Sequence, residues 1–180
     1  MKTKKSVSLL SGKNILSWLL YGGLAVLVAL MQNAPRVFPV IQYARPAPLI
    51  LLVVCIAFFE GPRIGAVFGV IAGLLWDLYT FHLFGLHALI FLIIAVAVGL
   101  LVQWLLRANF LSGMLLCVGG VLVHMLLEWL LCYVLFLDSE SISALVHIYL
   151  PNALYTVVLS PVVYGVMLLT ARFLRKRQKR

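Results

Sequence analysis

Charge is so sparse in this chain that it dictates where the chain can go. Fourteen basic and five acidic residues serve 180 positions, and they fall so as to leave uncharged runs at 14–35, 46–59, 64–76, 78–106, 108–127 and 141–171. A soluble domain needs about a quarter of its residues charged to cover an apolar core; here the charged share is 11%, against 64% hydrophobic residues. No polar shell can be built from that. The runs fit a bilayer, whose hydrocarbon layer takes about 20 apolar residues per spanning helix. The reading is an all-α integral membrane protein, a single transmembrane domain over 1–180.

Four helices follow directly, at about 15–33, 84–106, 110–136 and 149–171. The segment 46–79 contains two shorter apolar runs separated by "EGPR", Glu60 to Arg63. Glycine ends helices well and proline opens them, so Gly61-Pro62 reads as the turn of a helical hairpin, 46–60 then 62–79. Thirty-four residues also exceed one span. Six spans result. The count of positive charge agrees. With the N-terminus inside, twelve of fourteen Lys/Arg lie on cytoplasmic segments: the basic tails 1–13 and 172–180, Arg63 and Arg107. Only Arg36 and Arg45 lie outside. A single broken helix over 46–79 would give five spans and place the six C-terminal basic residues outside, against the positive-inside rule. Both termini are therefore expected in the cytoplasm. The uncharged first run is too long for a cleavable signal core of about 7–15 residues and reads as an uncleaved helix. Trp18 and Trp104 suit the inner aromatic belt, Trp76 and Tyr79 the outer one.

The net charge of +9 sits at the chain ends, where it reads as a topology signal and a contact for anionic membrane lipids, not as a nucleic-acid surface. Cys55, Cys117 and Cys132 are odd in number and irregular in spacing, so they form neither a disulfide framework nor a metal motif. They read as small core or lipid-facing residues. No nucleophile motif, phosphate loop or dinucleotide fingerprint is present, and no enzymatic activity or cofactor is expected.

Within the hairpin's second arm, "GAVFGVIAGLLWD" places glycine at 65, 69 and 73 and an aspartate on the next beat, 77. Steps of four advance about 40° past a full turn, so the glycines form a slowly winding stripe. Such a stripe lets another backbone approach closely. It serves either internal packing or contact with a partner protein. Asp77 falls about 22 Å along the helix from Pro62, near the outer boundary. It can pair with Arg36 or Arg45, or accept N–H bonds from the turn through Gly85 and the start of the next helix. His124 and Glu128, four apart, share a helix face inside a span. An ionisable residue there is a functional candidate, or glue between helices. A zinc site would need the distant His82, His87 or His147, so no metal is expected. Asn152 and Pro161 mark the last helix: Asn152 as an interhelical hydrogen-bonding group, Pro161 as a kink.

The stretch Arg45–Leu92 resembles the core of the MreD family of rod shape-determining membrane proteins. It has an opening proline at 46 or 48, the glycines at 65, 69 and 73 running into Asp77, and a following Gly85. The segment from Leu150 to Arg177 resembles the family's last span, with Asn152, Pro161 and a basic tail. The first 44 residues match only in character. The resemblance implies a non-enzymatic scaffold or regulator of cell shape and lateral peptidoglycan synthesis in the bacterial cytoplasmic membrane. It implies partnership with MreC and, through it, MreB, a shape and elongation glycosyltransferase and a class B penicillin-binding protein. It also implies a fold similar to the S-components of energy-coupling-factor transporters. That similarity supplies the alternative, a vitamin-binding S-component, for which Ala25 and Ala29 would be the docking pair.

The topology is open to direct measurement. A fluorescent protein fused after Arg180 should fold and fluoresce, and alkaline phosphatase fused there should stay inactive; the reverse pattern would place the C-terminus outside.

Overall fold

The computed structural model describes residues 12–34, 45–80, 84–106, 109–131, 143 and 145–178. Arg36, His82, Arg107 and Cys132, all used in the sequence reading, lie outside this set. Among the described residues all regular structure is helical. The elements are α1 (Gly12–Asn33), α2 (Pro48–Glu60), α3 (Pro62–Asp77), α4 (Leu86–Trp104), α5 (Phe110–Trp129) and α6 (Leu150–Gln178), the last entered directly from a π-helical turn at Leu145–Tyr149. Helix α6 extends past 171 into the basic tail, whose lysines and arginines are good helix formers.

Among the described residues, four stretches are long and apolar enough to cross a membrane: Ile15–Asn33, Leu86–Trp104, Phe110–Trp129 and Leu145–Lys176. Helix α2 is a shorter apolar helix beside them. Helix α2 has 13 residues, about 20 Å at 1.5 Å per residue, against a hydrocarbon layer of about 30 Å. Its role is different. Every residue from Pro48 to Phe58 is buried, and α2 packs against each of the other five helices. A helix that is apolar on all sides suits either a protein interior or a membrane span; here protein surrounds it from Pro48 to Phe58. Helix α2 is the axis of the bundle, and the hairpin it forms with α3 is inserted among the four longer helices.

The hairpin turn is local chemistry. Gly61 takes φ +89°, a left-handed value that costs side-chain-bearing residues about 1–2 kcal/mol, and its N–H bonds to Ala57 O at 3.0 Å. Pro62 then opens α3, where its missing N–H has no partner to lose. The turn is tied to its surroundings. Tyr21 Oη donates to Glu60 Oε1 at 2.8 Å, and the Arg175 guanidinium donates to Phe59 O at 3.1 Å. One end of α2 is thereby held by α1 and α6.

The glycine stripe is occupied by the chain itself. A Cβ added at Gly65 would lie 2.6 Å from Ala57 Cβ on α2, and one at Gly69 would lie 2.8 Å from Phe91 O on α4. At Gly73 it would run into the Ala88 backbone of α4, and at Gly99 of α4 it would meet Pro62. Contact is mutual: α3 and α4 are the most closely packed pair in the bundle. The buried stripe leaves no face for a partner helix there. Ala25 and Ala29 are likewise buried, at 0% and 2% exposure, so they pack inward and do not form an open docking pair. Apolar side chains remain exposed on the outward faces, among them Leu19, Leu27, Ile93, Leu115, Val158 and Leu169. In water such faces would aggregate; in lipid they are solvated.

Gly73→Ala should lower thermal stability in detergent by about 1–3 kcal/mol, because the added methyl forces α3 and α4 apart. Gly22→Ala, where a Cβ meets nothing within 4 Å, should be neutral. Equal unfolding temperatures for the two variants would contradict the packing described.

Candidate functional site

The carboxylate that ends the glycine stripe joins two helices. Helix α4 begins at Gly85, which sits at φ +95°, ψ −7° and has no side chain to cap the first turn. Asp77 supplies the cap from the end of α3. Gly85 N–H donates to its Oδ2 at 2.9 Å, His87 N–H to Oδ1 at 3.3 Å and Ala88 N–H to Oδ2 at 3.4 Å. A carboxylate is stabilised there twice, by the orphan N–H groups and by the positive end of the helix dipole. Its described hydrogen-bond partners are these N–H groups and a histidine, not Arg45. Asp77 is only 4% exposed.

The histidine is His87, itself fully buried. Its Nδ1 lies 2.7 Å from Asp77 Oδ1 and its Nε2 lies 3.4 Å from Glu128 Oε1. Asp77 is already an acceptor for backbone donors, so His87 Nδ1 is read as the proton-bearing nitrogen and Nε2 as the variable one. Glu128 also faces His124 across one helical turn, Oε2 to Nδ1 at 3.8 Å. Asp77, His87, Glu128 and His124 therefore form one continuous cluster linking α3, α4 and α5. Around it stand aromatic rings. Trp76 stacks on His87 with centroids 5.2 Å apart and planes 25° apart, and meets His124 and Phe91 edge-on at 5.5 and 5.7 Å. Trp76, expected in the outer aromatic belt, turns inward. Trp18 also packs inward, on Phe68 at 5.2 Å, while Trp104 stays 80% exposed.

A cavity of about 290 Å³ opens beside this cluster. His124 and Glu128 line it on the α5 side; Gln32, Arg45, Tyr79 and Asn152 contribute polar groups elsewhere. Asn152 Oδ1 accepts the Arg45 N–H at 2.8 Å, and Thr156 Oγ1 accepts the Ala47 N–H at 2.9 Å. The start of α6 thus holds the chain leading into α2. Pro161 lies within α6, and the helix continues on both sides of it. Cys55 and Cys117 are buried as free thiols with sulfurs 3.8 Å apart, away from lipid.

Sequence reasoning located Asp77, Gly85, His124 and Glu128 as separate features and set His87 aside as too distant to join them, although it connects them. Its ten-residue distance from Asp77 crosses a turn, so no helical period relates the two. The one available signal was a polar ring two residues after a glycine that starts an apolar helix.

These features define the class: a protein whose described residues are helical, with lipid-compatible faces, a close-packed glycine-bearing hairpin and a buried polar cluster at a helix junction. The chain belongs to the MreD family, since the family model for rod shape-determining protein MreD matches residues 12–176. No curated protein and no solved structure matches it. Family membership places the chain in rod shape determination and fits membrane association of its apolar helices.

Asp77→Asn should cost about 2–4 kcal/mol of stability, because a neutral amide weakens three backbone acceptor bonds and the buried contact to His87. Gly85→Ala should cost about 1–2 kcal/mol through its left-handed φ alone. Thermal unfolding of the purified variants measures both.

Proposed function

We propose that this chain is a non-enzymatic membrane scaffold that regulates cell shape and lateral peptidoglycan synthesis. It acts in complex with MreC and, through MreC, with MreB, the shape and elongation glycosyltransferase and a class B penicillin-binding protein. It resides in the bacterial cytoplasmic membrane, with the α2–α3 hairpin completing six membrane-inserted helices and both termini inside. The observation that carries this reading is the match to the MreD family over residues 12–176. The chain's own chemistry supports it. Its polar groups are spent on holding helices together: Asp77 caps α4, Asn152 and Thr156 hold the lead into α2, and Glu60 takes the Tyr21 hydroxyl. Such a body offers partners a rigid apolar surface.

One observation favours the alternative of a vitamin-binding S-component. The cavity lies at the end of the bundle expected to face outward, where that class of protein holds its ligand. Its volume of about 290 Å³ falls at the lower limit of small-molecule sites, roughly 300–1,000 Å³.

Capture from the native host separates the two. The tagged chain, solubilised in mild detergent, should retain MreC, and its depletion should turn rods into rounded cells. Retention of a transporter coupling protein in place of MreC, with unchanged cell shape, would overturn the scaffold reading.

A further inference from the structure

The buried cluster contains a metal-ligand set that the sequence disperses over 42 positions. His87 from α4 and His124 and Glu128 from α5 each offer one ligand atom, and these atoms lie within 4.8 Å of one another. Around a tetrahedral zinc ion, with bonds of roughly 2.0–2.1 Å, neighbouring ligand atoms stand about 3.4 Å apart. His87 Nε2 and Glu128 Oε1 are already 3.4 Å apart, and His124 Nδ1 is 3.8 Å from Glu128 Oε2. Modest side-chain rotation closes the rest.

Three further features point the same way. Asp77 holds His87 Nδ1 at 2.7 Å, and a carboxylate on the far nitrogen of a histidine is the usual arrangement behind a ligating imidazole. It fixes the tautomer so that Nε2 is bare and turned to the metal. His124 is 5% exposed, its Nε2 has no hydrogen-bond partner, and its Nδ1 stands beyond hydrogen-bond reach of Glu128. A buried imidazole nitrogen with no hydrogen bond is costly unless something else engages it. Finally, His124 and Glu128 both line the cavity, beside the polar groups of Gln32, Arg45 and Asn152, which gives an ion and its remaining ligand a route to the cluster.

We propose that His87, His124 and Glu128 form a site for a borderline divalent metal ion, Zn²⁺ foremost, with Asp77 as the positioning residue for His87. Two imidazoles and a carboxylate suit zinc, and with lower affinity the lighter first-row ions. The ion would tie α4 to α5 at the point where Asp77 ties α3 to α4. The site is independent of the scaffold reading: a chain that binds no metal can still capture MreC.

The test uses the full chain, purified in detergent on a tag free of histidine, stripped with chelator and titrated with Zn²⁺ by calorimetry and Co²⁺ by visible absorption. One equivalent should bind, with the intense ligand-field bands of a low-coordinate Co²⁺ site that Zn²⁺ then displaces. Glu128→Gln and His124→Ala should weaken binding by about 100-fold or more, and Asp77→Asn by about 10–100-fold. His147→Ala should leave it unchanged. X-ray absorption of the loaded wild type should show nitrogen and oxygen ligands; this needs no variant and holds even if a substituted chain fails to fold. The proposal is overturned if the folded wild type takes up no ion, if folded Glu128→Gln and His124→Ala bind as tightly as wild type, or if sulfur ligands place the ion at Cys55 and Cys117.

Discussion

The close approach of α3 and α4 is the contact from which the remaining architecture follows. Two helices separated by side chains sit 8–10 Å apart; here glycines at 69 and 73 set the surface of α3 against the backbone of α4 at Phe91 and Ala88. In water each glycine would weaken its helix by about 1 kcal/mol. In a bilayer, helix association has no hydrophobic driving force and depends on packing and interhelical hydrogen bonds, so a smooth stripe gains more than it loses. The same approach carries Asp77 to the first turn of α4. A carboxylate can cap a neighbouring helix only if the two backbones come this near, and the glycines bring them there.

Helix α2 plays the complementary part. Its short length and all-round apolar surface make it a poor span and a good core. Buried by five neighbours, it fills the bundle's centre with Leu, Ile and Val, while polar bonds secure its two ends: Gln32, Asn152 and Thr156 at the start, Tyr21 and Arg175 at the finish. Each of these partners comes from α1 or α6. The terminal helices thus lock the hairpin in place, and Asn152 has a structural task at a position far from it in sequence.

The polar cluster concentrates what little ionisable chemistry the chain keeps within its apolar body. Asp77, His87, Glu128 and His124 are linked through shared contacts, and the Trp76 and Phe91 rings pack against the two histidines. Buried charges persist where partners compensate their desolvation. Here the compensation is collective: each carboxylate faces an imidazole, and Asp77 faces a helix terminus as well.

Sequence alone determined the solvent, the helical class and the hairpin, because those follow from the spacing of charges and from the local chemistry of Gly61-Pro62. It also determined the family, through glycines at four-residue intervals ending on Asp77. It could not rank α2 below the other spans, since an all-apolar helix reads alike whether lipid or protein surrounds it. Nor could it choose between the chain itself and a partner as the neighbour of the glycine stripe, or foresee that His87 would stand between Asp77 and Glu128. Those were decided by tertiary structure. Periodicity reports which residues share a face of one helix; only the packing of α3, α4 and α5 against one another says which faces meet.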